Sequence, residues 1–313
     1  MADSKNLDEQ RFGGIWTAEK MDAVQRYLEA FSKVMKNQLY FDTIYIDAFA
    51  GSGECKIGSE DNHLQTDGSA IRSLKIEDKF DNYVFVELNK KKLNLLKDTC
   101  ENSYADILNN IEFIQSDANK AIQKLLEDKF NDKNRRGVIF LDPFGASVTW
   151  ETLEKIASTK ALDVWYLFPL SATLRFSAKD FDKTLDDKLD ACFGTTEWRN
   201  WYDENNYSDR TVDDVLTFFS NRLKSIFPLV LNPVILKNSN NSPMFAMYFA
   251  MANDNPKALK TALRIADYIL KMFEEKKLAN DIRPKIEENI QKDKLKQQKK
   301  KSEEKGQPDL FDL

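Results

Sequence analysis

Histidine and cysteine are scarce in this 313-residue chain, with one His (His63) and three Cys (Cys55, Cys100, Cys192). Three cysteines are too few for a disulfide scaffold, and these lie too far apart for zinc-ligand spacing. A site built on several His ligands, or on a His base far from position 63, is excluded, and no metal is expected. Glycine (10) and proline (8) are also sparse. That argues against collagen-like, linker-rich or turn-dense all-β architectures. No stretch approaches the roughly 18 uncharged apolar residues of a membrane span. The segment MADSKNLDEQRFGG offers no apolar core for a secretory signal, so a reduced, cytoplasmic protein is expected. Neither charge sign dominates. The net charge of −5 gives no global nucleic-acid signature, although it leaves room for a local basic groove.

What is present is core-forming material. Apolar residues make up 42% of the chain and aromatics 12%, which excludes a wholly disordered chain. The length fits one large domain or two ordinary ones.

Along the chain, residues 1–13 read as a disordered N-terminus. A helix then runs to about Lys36, with Thr17 as its cap and Trp16 stapled onto Met21. From there strands and helices alternate. Apolar or aromatic strand runs fall at 41–47, 83–88, 111–115, 137–141 and 162–169, with helices between them and a polar, irregular stretch at 54–67. Near-continuous apolar strands separated by helices predict a parallel sheet buried on both faces, within a core covering residues 14–170. Residues 171–226 read as an inserted helical subdomain. Residues 227–276 return to the core as an antiparallel hairpin, turned by NSNN, followed by a long amphipathic helix. From 277 to 313 a charged, flexible tail is expected.

The chemistry concentrates where strands end. Asp47-Ala48-Phe49-Ala50-Gly51-Ser52-Gly53 directly follows the first strand, where glycines allow a sharp turn close to a ligand. The third glycine of a dinucleotide fingerprint would fall at Lys56, and no G-K-[ST] follows, so a nicotinamide enzyme or NTPase is disfavoured. Glu87 ends the second strand, where a carboxylate can accept from two ribose hydroxyls. Ser116-Asp117-Ala118 follows the third strand and Asp142-Pro143-Phe144-Gly145 the fourth. Each signal sits at the carboxyl edge, where open α/β sheets bind ligands. Taken alone, each could be ordinary turn chemistry, and Asp142 could simply make an Asx turn before a rigid proline.

D-x-F-x-G-x-G, the acidic strand end, S-D-A and D-P-F together resemble the class I S-adenosylmethionine-dependent methyltransferases, and the D-A-F-A-G-S-G form is similar to that of nucleic-acid methyltransferases. W-T-x-E-K, GSAIRSLK, LDPFG and NDNPKALKTALRIA resemble a narrower group, the three-Cys-motif partner proteins (TcmP), over roughly residues 14–276. The resemblance implies a Rossmann-like, seven-stranded, mostly parallel sheet with an antiparallel hairpin. S-adenosylmethionine is the implied cofactor. Asp47, Gly51 and Gly53 would line its methionine part, with Phe49 and Leu88 completing the cofactor set. Glu87 would hold the ribose, and Asp117 and Ala118 the adenine. Asp142, Pro143 and Phe144 would face the methyl-accepting group. In amino-group methyltransferases the corresponding motif is [DNS]-P-P-[YFW]; here Phe144 replaces the second proline and Gly145 holds the aromatic position.

The function expected is methylation of an exocyclic amino group of a nucleobase in DNA or RNA, with nucleic acid as the partner. Such a base must be unstacked and held between aromatic side chains. The WRNWY aromatics Trp198, Trp201 and Tyr202 could form that clamp, although core packing of the insert is the plainer reading. The alternative function, implied by the resemblance, is a SAM-binding or cofactor-free partner subunit of a three-Cys-motif protein of iron–sulfur or radical-SAM-like type. Gln307-Pro308-Asp309-Leu310-Phe311 resembles the peptide that docks bacterial proteins onto the DNA-polymerase sliding clamp, with Leu310 and Phe311 as pocket anchors. The competing reading is a short terminal hook packed back on the body.

Overall fold

The computed structural model describes residues 14–58, 63–131, 133–175, 183–202, 212–238, 240–289 and 291–292. Helix α1 (Ile15–Met35) precedes strand β1 (Asp42–Asp47), a hairpin of β2 (Glu54–Gly58) and β3 (His63–Asp67), and α2 (Ser69–Lys75). Then follow β4 (Asn82–Glu87), α3 (Lys90–Ser103), β5 (Ile111–Gln115), α4 (Ala118–Lys129), β6 (Arg135–Leu141), α5 (Trp150–Ser158) and β7 (Leu162–Phe168). Helices α6 (Leu170–Arg175), α7 (Lys183–Phe193) and α8 (Val212–Ile226) lead to β8 (Leu229–Val230), β9 (Val234–Lys237), β10 (Pro243–Met251) and α9 (Pro256–Glu274). No helix among the described residues is long and apolar enough to cross a membrane.

The main sheet runs β5-β4-β1-β6-β7-β10-β8, with β9 also paired to β10. Its first five strands are mutually parallel and β10 runs antiparallel to its neighbours. This is the mostly parallel α/β sheet with an antiparallel closure that the strand pattern implies. The two-residue period divides each strand between two cores. Ile44, Ile46, Ile139, Leu141, Val164 and Tyr166 face α4, α5, α7 and α8. Tyr45, Val138, Phe140, Trp165 and Leu167 face α1, α2, α3 and α9. Side chains buried on both faces leave no polar side to the central strands, which is why they read as unbroken apolar runs.

Five details differ from expectation. Residues 54–58 and 63–67 pair as the antiparallel strands β2 and β3, with Cys55 opposite Thr66 and Ile57 opposite Leu64; Ile57 anchors them by packing with Ala18 and Ile286. Helix α1 starts at Ile15 with Gly14 as its N-cap and no side-chain cap; Thr17 is buried, and Trp16 packs on Phe245 at 5.1 Å. The first strand of the closing hairpin is split into β8 and β9 at residues 231–233, where Pro233 has no amide to give a ladder. The insert is not a separate unit among the described residues. Leu189, Phe193, Trp198, Phe219 and Leu223 join the sheet's own core, and the Trp198 indole donates to Asp190 Oδ1 at 2.8 Å. That removes Trp198 as a clamp; the side chains of Trp201 and Tyr202 lie outside the described residues. Finally, the expected tail does not begin at 277. Leu278, Ala279 and Ile286 are buried against the body, because these few apolar residues find a groove beside α1. Residues 1–13 and the segment holding Gln307, Leu310 and Phe311 lie outside the description.

Candidate functional site

The central strand β1 ends at Asp47, flanked by Phe85 of β4 and Phe140 of β6. The loop that follows is tied to both neighbours: Ala48 N donates to the Phe140 carbonyl at 3.1 Å and Ala50 N to the Val86 carbonyl at 2.9 Å. Gly51 and Gly53 then adopt φ of 63° and 82°, in the left-handed region that favours glycine. A Cβ on Gly53 would also lie 2.9 Å from a methyl of Leu96, so this turn needs glycine for space as well. The Gly51 amide donates to Glu87 Oε2 at 3.0 Å, and the Asn89 amide to Glu87 Oε1 at 2.8 Å. Two backbone donors therefore fix the half-buried Glu87 carboxylate, each using one lone pair of an oxygen that has two.

Asp47 is fully buried. Its Oδ1 accepts from the Phe49 amide at 3.2 Å, while Oδ2 has no hydrogen-bond partner among the described residues; the buried Tyr45 hydroxyl, also without one there, acts on the same carboxylate. Burial pushes its pKa up to about 7. The Ser69 hydroxyl and the Phe49 amide oppose that shift, and the negative charges of Asp142 and Glu87 add to it. An orphaned, buried carboxylate oxygen costs free energy unless something occupies it.

Asp142 follows β6, the strand next to Asp47. Its Oδ2 is paired with the Lys20 ammonium at 2.5 Å, the two side chains being 21% and 6% exposed. Lys20 also sits 5.2 Å from the centroid of the Trp16 ring. Lys20 was not among the residues the strand-end motifs single out. Its signal is a lysine among the apolar neighbours Met21, Ala23 and Val24, where a charge needs a partner. Beside it on α1, Glu19 pairs with Arg283 at 2.6 Å, and Asp22 Oδ2 accepts from the Ala279 amide at 2.8 Å. Cys55 lies in the same field: burial raises its thiol pKa, Lys20 lowers it and Asp142 raises it.

The remaining expected residues fall into place around this centre. Pro143 is buried, while Phe144 is 74% exposed with the Lys92 ammonium 5.8 Å from its ring. Asp117 caps α4, its Oδ1 accepting from the Lys120 amide at 3.2 Å, and Ala118 is buried at that helix's first position. Phe49 is half-buried against the α4–α5 core. Leu88 lies just past β4 and is 68% exposed at the rim. The Gly51 amide thus joins the β1 loop to Glu87, and Asp47 lies near enough to Asp142 and Glu87 to feel both charges, with Asp117 and Ala118 one strand further out. His63 is exposed on the hairpin. The described residues contain no cluster of three or more His, Cys, Asp or Glu suited to a metal ion.

No protein-family model matches the chain, and no curated protein does. Solved structures do. LPL1258 of Legionella pneumophila is 12% identical with a TM-score of 0.42, covering 80% of this chain and 92% of that one. Spermidine synthase of Thermotoga maritima is 12% identical with a TM-score of 0.41, covering 87% and 74%. The methyltransferase domain of bacterial CtHen1 is 11% identical with a TM-score of 0.36, covering 73% and 99%.

Proposed function

We propose that this chain is an S-adenosylmethionine-dependent methyltransferase acting on an exocyclic amino group of a nucleobase in DNA or RNA. The observation that carries the reading is the orphaned Oδ2 of buried Asp47, set beside the glycine turn and the amide-fixed Glu87, with Asp142 on the next strand end. The donor set fits the cofactor. Asp47 and the backbone of residues 51–53 would hold the methionine part, whose ammonium supplies the missing donor. The free lone pairs of Glu87 would take the ribose hydroxyls. Asp117 and Ala118 would take the adenine, with Phe49 and Leu88 beside them. The Glu87 charge beside Asp47 also favours a positively charged ligand.

The bound cofactor supplies an electrophilic methyl group on a sulfonium. The chain's task is to present the nucleophile. A planar amine is a poor nucleophile, and acceptors on its N–H groups turn its lone pair toward the methyl. Asp142 Oδ1, unpaired among the described residues, and the Pro143 carbonyl can serve as those acceptors. The exposed ring of Phe144 can stack on a flat base. Lys90, Lys91 and Lys92, which open α3 beside it, can meet phosphates. Lys92 already lies over the Phe144 ring.

A second reading is favoured by the Lys20–Asp142 pair, which occupies half of the proposed acceptor, and by Phe144 in place of a second proline. In that reading the chain binds the cofactor, or has lost it, and serves as the partner subunit of a three-Cys-motif protein. Docking of Gln307, Leu310 and Phe311 on a sliding clamp is compatible with either and rests on the sequence alone.

Transfer of a labelled methyl from S-adenosylmethionine to single- and double-stranded DNA and RNA tests the proposal, with Asp142→Ala beside the wild type. Label in the nucleic acid, lost in Asp142→Ala while cofactor binding persists, supports the enzyme. A partner-dependent activity unchanged by Asp142→Ala supports the scaffold.

A further inference from the structure

The geometry points to Lys20 as the positioning residue of the acceptor site: it holds Asp142 by Oδ2 so that Oδ1 alone is presented, and residues 278–286 hold Lys20 in place. This inference rests on the methyltransferase reading above.

Lys20 sits on the inward side of α1, and its side chain is 6% exposed. A lysine there is an expensive choice. Removing an ammonium and a carboxylate from water costs several kcal/mol each, and a buried pair is often no more stabilising than apolar residues of the same size. Met21, Val24, Tyr27 and Leu28 already bury this helix against the sheet. Stability alone gives no reason for a charge at position 20, whereas geometry does. Asp142 shares the crevice with Asp47 and Glu87, whose charges act on the same field. An unpaired Asp142 would be driven outward by them. A fixed ammonium on one oxygen sets its rotamer and leaves the other oxygen for an N–H.

The ammonium must itself be held, and the chain's C-terminal region does this. The two residues gripped by that segment, Glu19 and Asp22, flank Lys20 on α1. Arg283 reaches Glu19 at 2.6 Å and the Leu278 carbonyl at 3.0 Å. The Ala279 amide reaches Asp22 at 2.8 Å. Ala18, Ile57, Ala279 and Ile286 close an apolar knot over the same turn, and the Arg283–Glu19 pair is itself nearly buried. The α1 turn, the β2–β3 hairpin and residues 278–286 thus form one clasp on the acceptor side.

Cys55 reports on the pair without any acceptor. Cys100 and Cys192 are buried, so alkylation of the native protein by iodoacetamide falls on half-buried Cys55, as peptide mapping can verify. Among the described residues, the charges acting on Cys55 are those of Lys20, Asp142 and Arg72. Lys20→Met should raise the pH midpoint of alkylation and slow the reaction several-fold at pH 8. Arg283→Met should move it the same way by a smaller amount, and Asp142→Asn the opposite way. In parallel, Lys20→Met should keep S-adenosylmethionine affinity within about threefold yet lose methyl transfer by 100-fold or more, with Lys20→Arg partly restoring it. An unmoved midpoint in Lys20→Met, or transfer retained there, overturns the role of Lys20. A wild-type midpoint in Arg283→Met overturns the clasp. A wild-type protein that binds no S-adenosylmethionine, or methylates no nucleic acid, overturns the underlying reading whatever Cys55 does.

Discussion

The Gly51 amide donates to the Glu87 carboxylate at 3.0 Å, so the loop leaving the central strand is held by the residue that ends the strand beside it. Glu87 is therefore part of the loop's structure before any ligand arrives. Glu87→Ala should free the Gly51 and Asn89 amides together and cost about 1–2 kcal/mol in global stability. Hydrogen exchange should show faster exchange at residues 51–53 and 89, with the core of β1 unchanged.

Burial raises the Asp47 pKa to about 7, and one of its oxygens has no hydrogen-bond partner among the described residues. A cationic ligand beside it favours the ionised form, so its pKa falls on binding and a proton leaves. At pH 7 about half a proton should be released per cofactor bound, declining toward zero by pH 9, where Asp47 is already ionised. Calorimetry in buffers of different ionisation enthalpy measures this count. Asp47→Asn should abolish the release.

A second buried carboxylate, Asp163 at the start of β7, accepts from the Tyr27 hydroxyl at 2.6 Å. Burial pushes its pKa up to about 7, against the Tyr27 hydrogen bond and the Arg136 charge. It lies at the opposite, amino edge of the sheet. Because the folded pKa exceeds the unfolded one, folding retains a proton that the unfolded chain has lost above about pH 4. The contribution of Asp163 to stability is thus full below pH 4 and is lost as pH rises through 7. Asp163→Asn keeps an acceptor for Tyr27 and removes this dependence. Its stability relative to the wild type should rise by up to about 1.4 kcal/mol per pH unit between pH 5 and 7, in denaturant titrations at each pH.

Phe144 is mostly exposed, so Phe144→Ala should change stability by less than about 0.5 kcal/mol. If the ring stacks on a base, the same change should weaken acceptor binding by about 1–3 kcal/mol. Fluorescence anisotropy with a labelled single strand separates the two effects.

The strand ends were legible in the sequence because apolar runs stop abruptly there at Asp47, Glu87 and Asp142. The sheet and its antiparallel closure followed from the same runs. Lys20 entered the sequence reading only as the last residue of W-T-x-E-K, with no role, since its partner lies 122 positions away and a lysine on a helix ordinarily meets solvent. The β2–β3 hairpin escaped notice because Ile57 is its one fully buried apolar anchor, too little for an alternating pattern. Residues 278–286 were hidden by their charged surroundings; Leu278, Ala279, Ile282 and Ile286 carry the packing. Trp198 went the other way: its aromatic signal was real but belongs to the core.

The central claim is that the crevice between β4, β1 and β6 binds S-adenosylmethionine, and a calorimetric titration of the full chain with that compound tests it most directly. The account predicts micromolar binding at one site, abolished in Glu87→Ala. No binding by the wild type, or equal binding by Glu87→Ala, would contradict it.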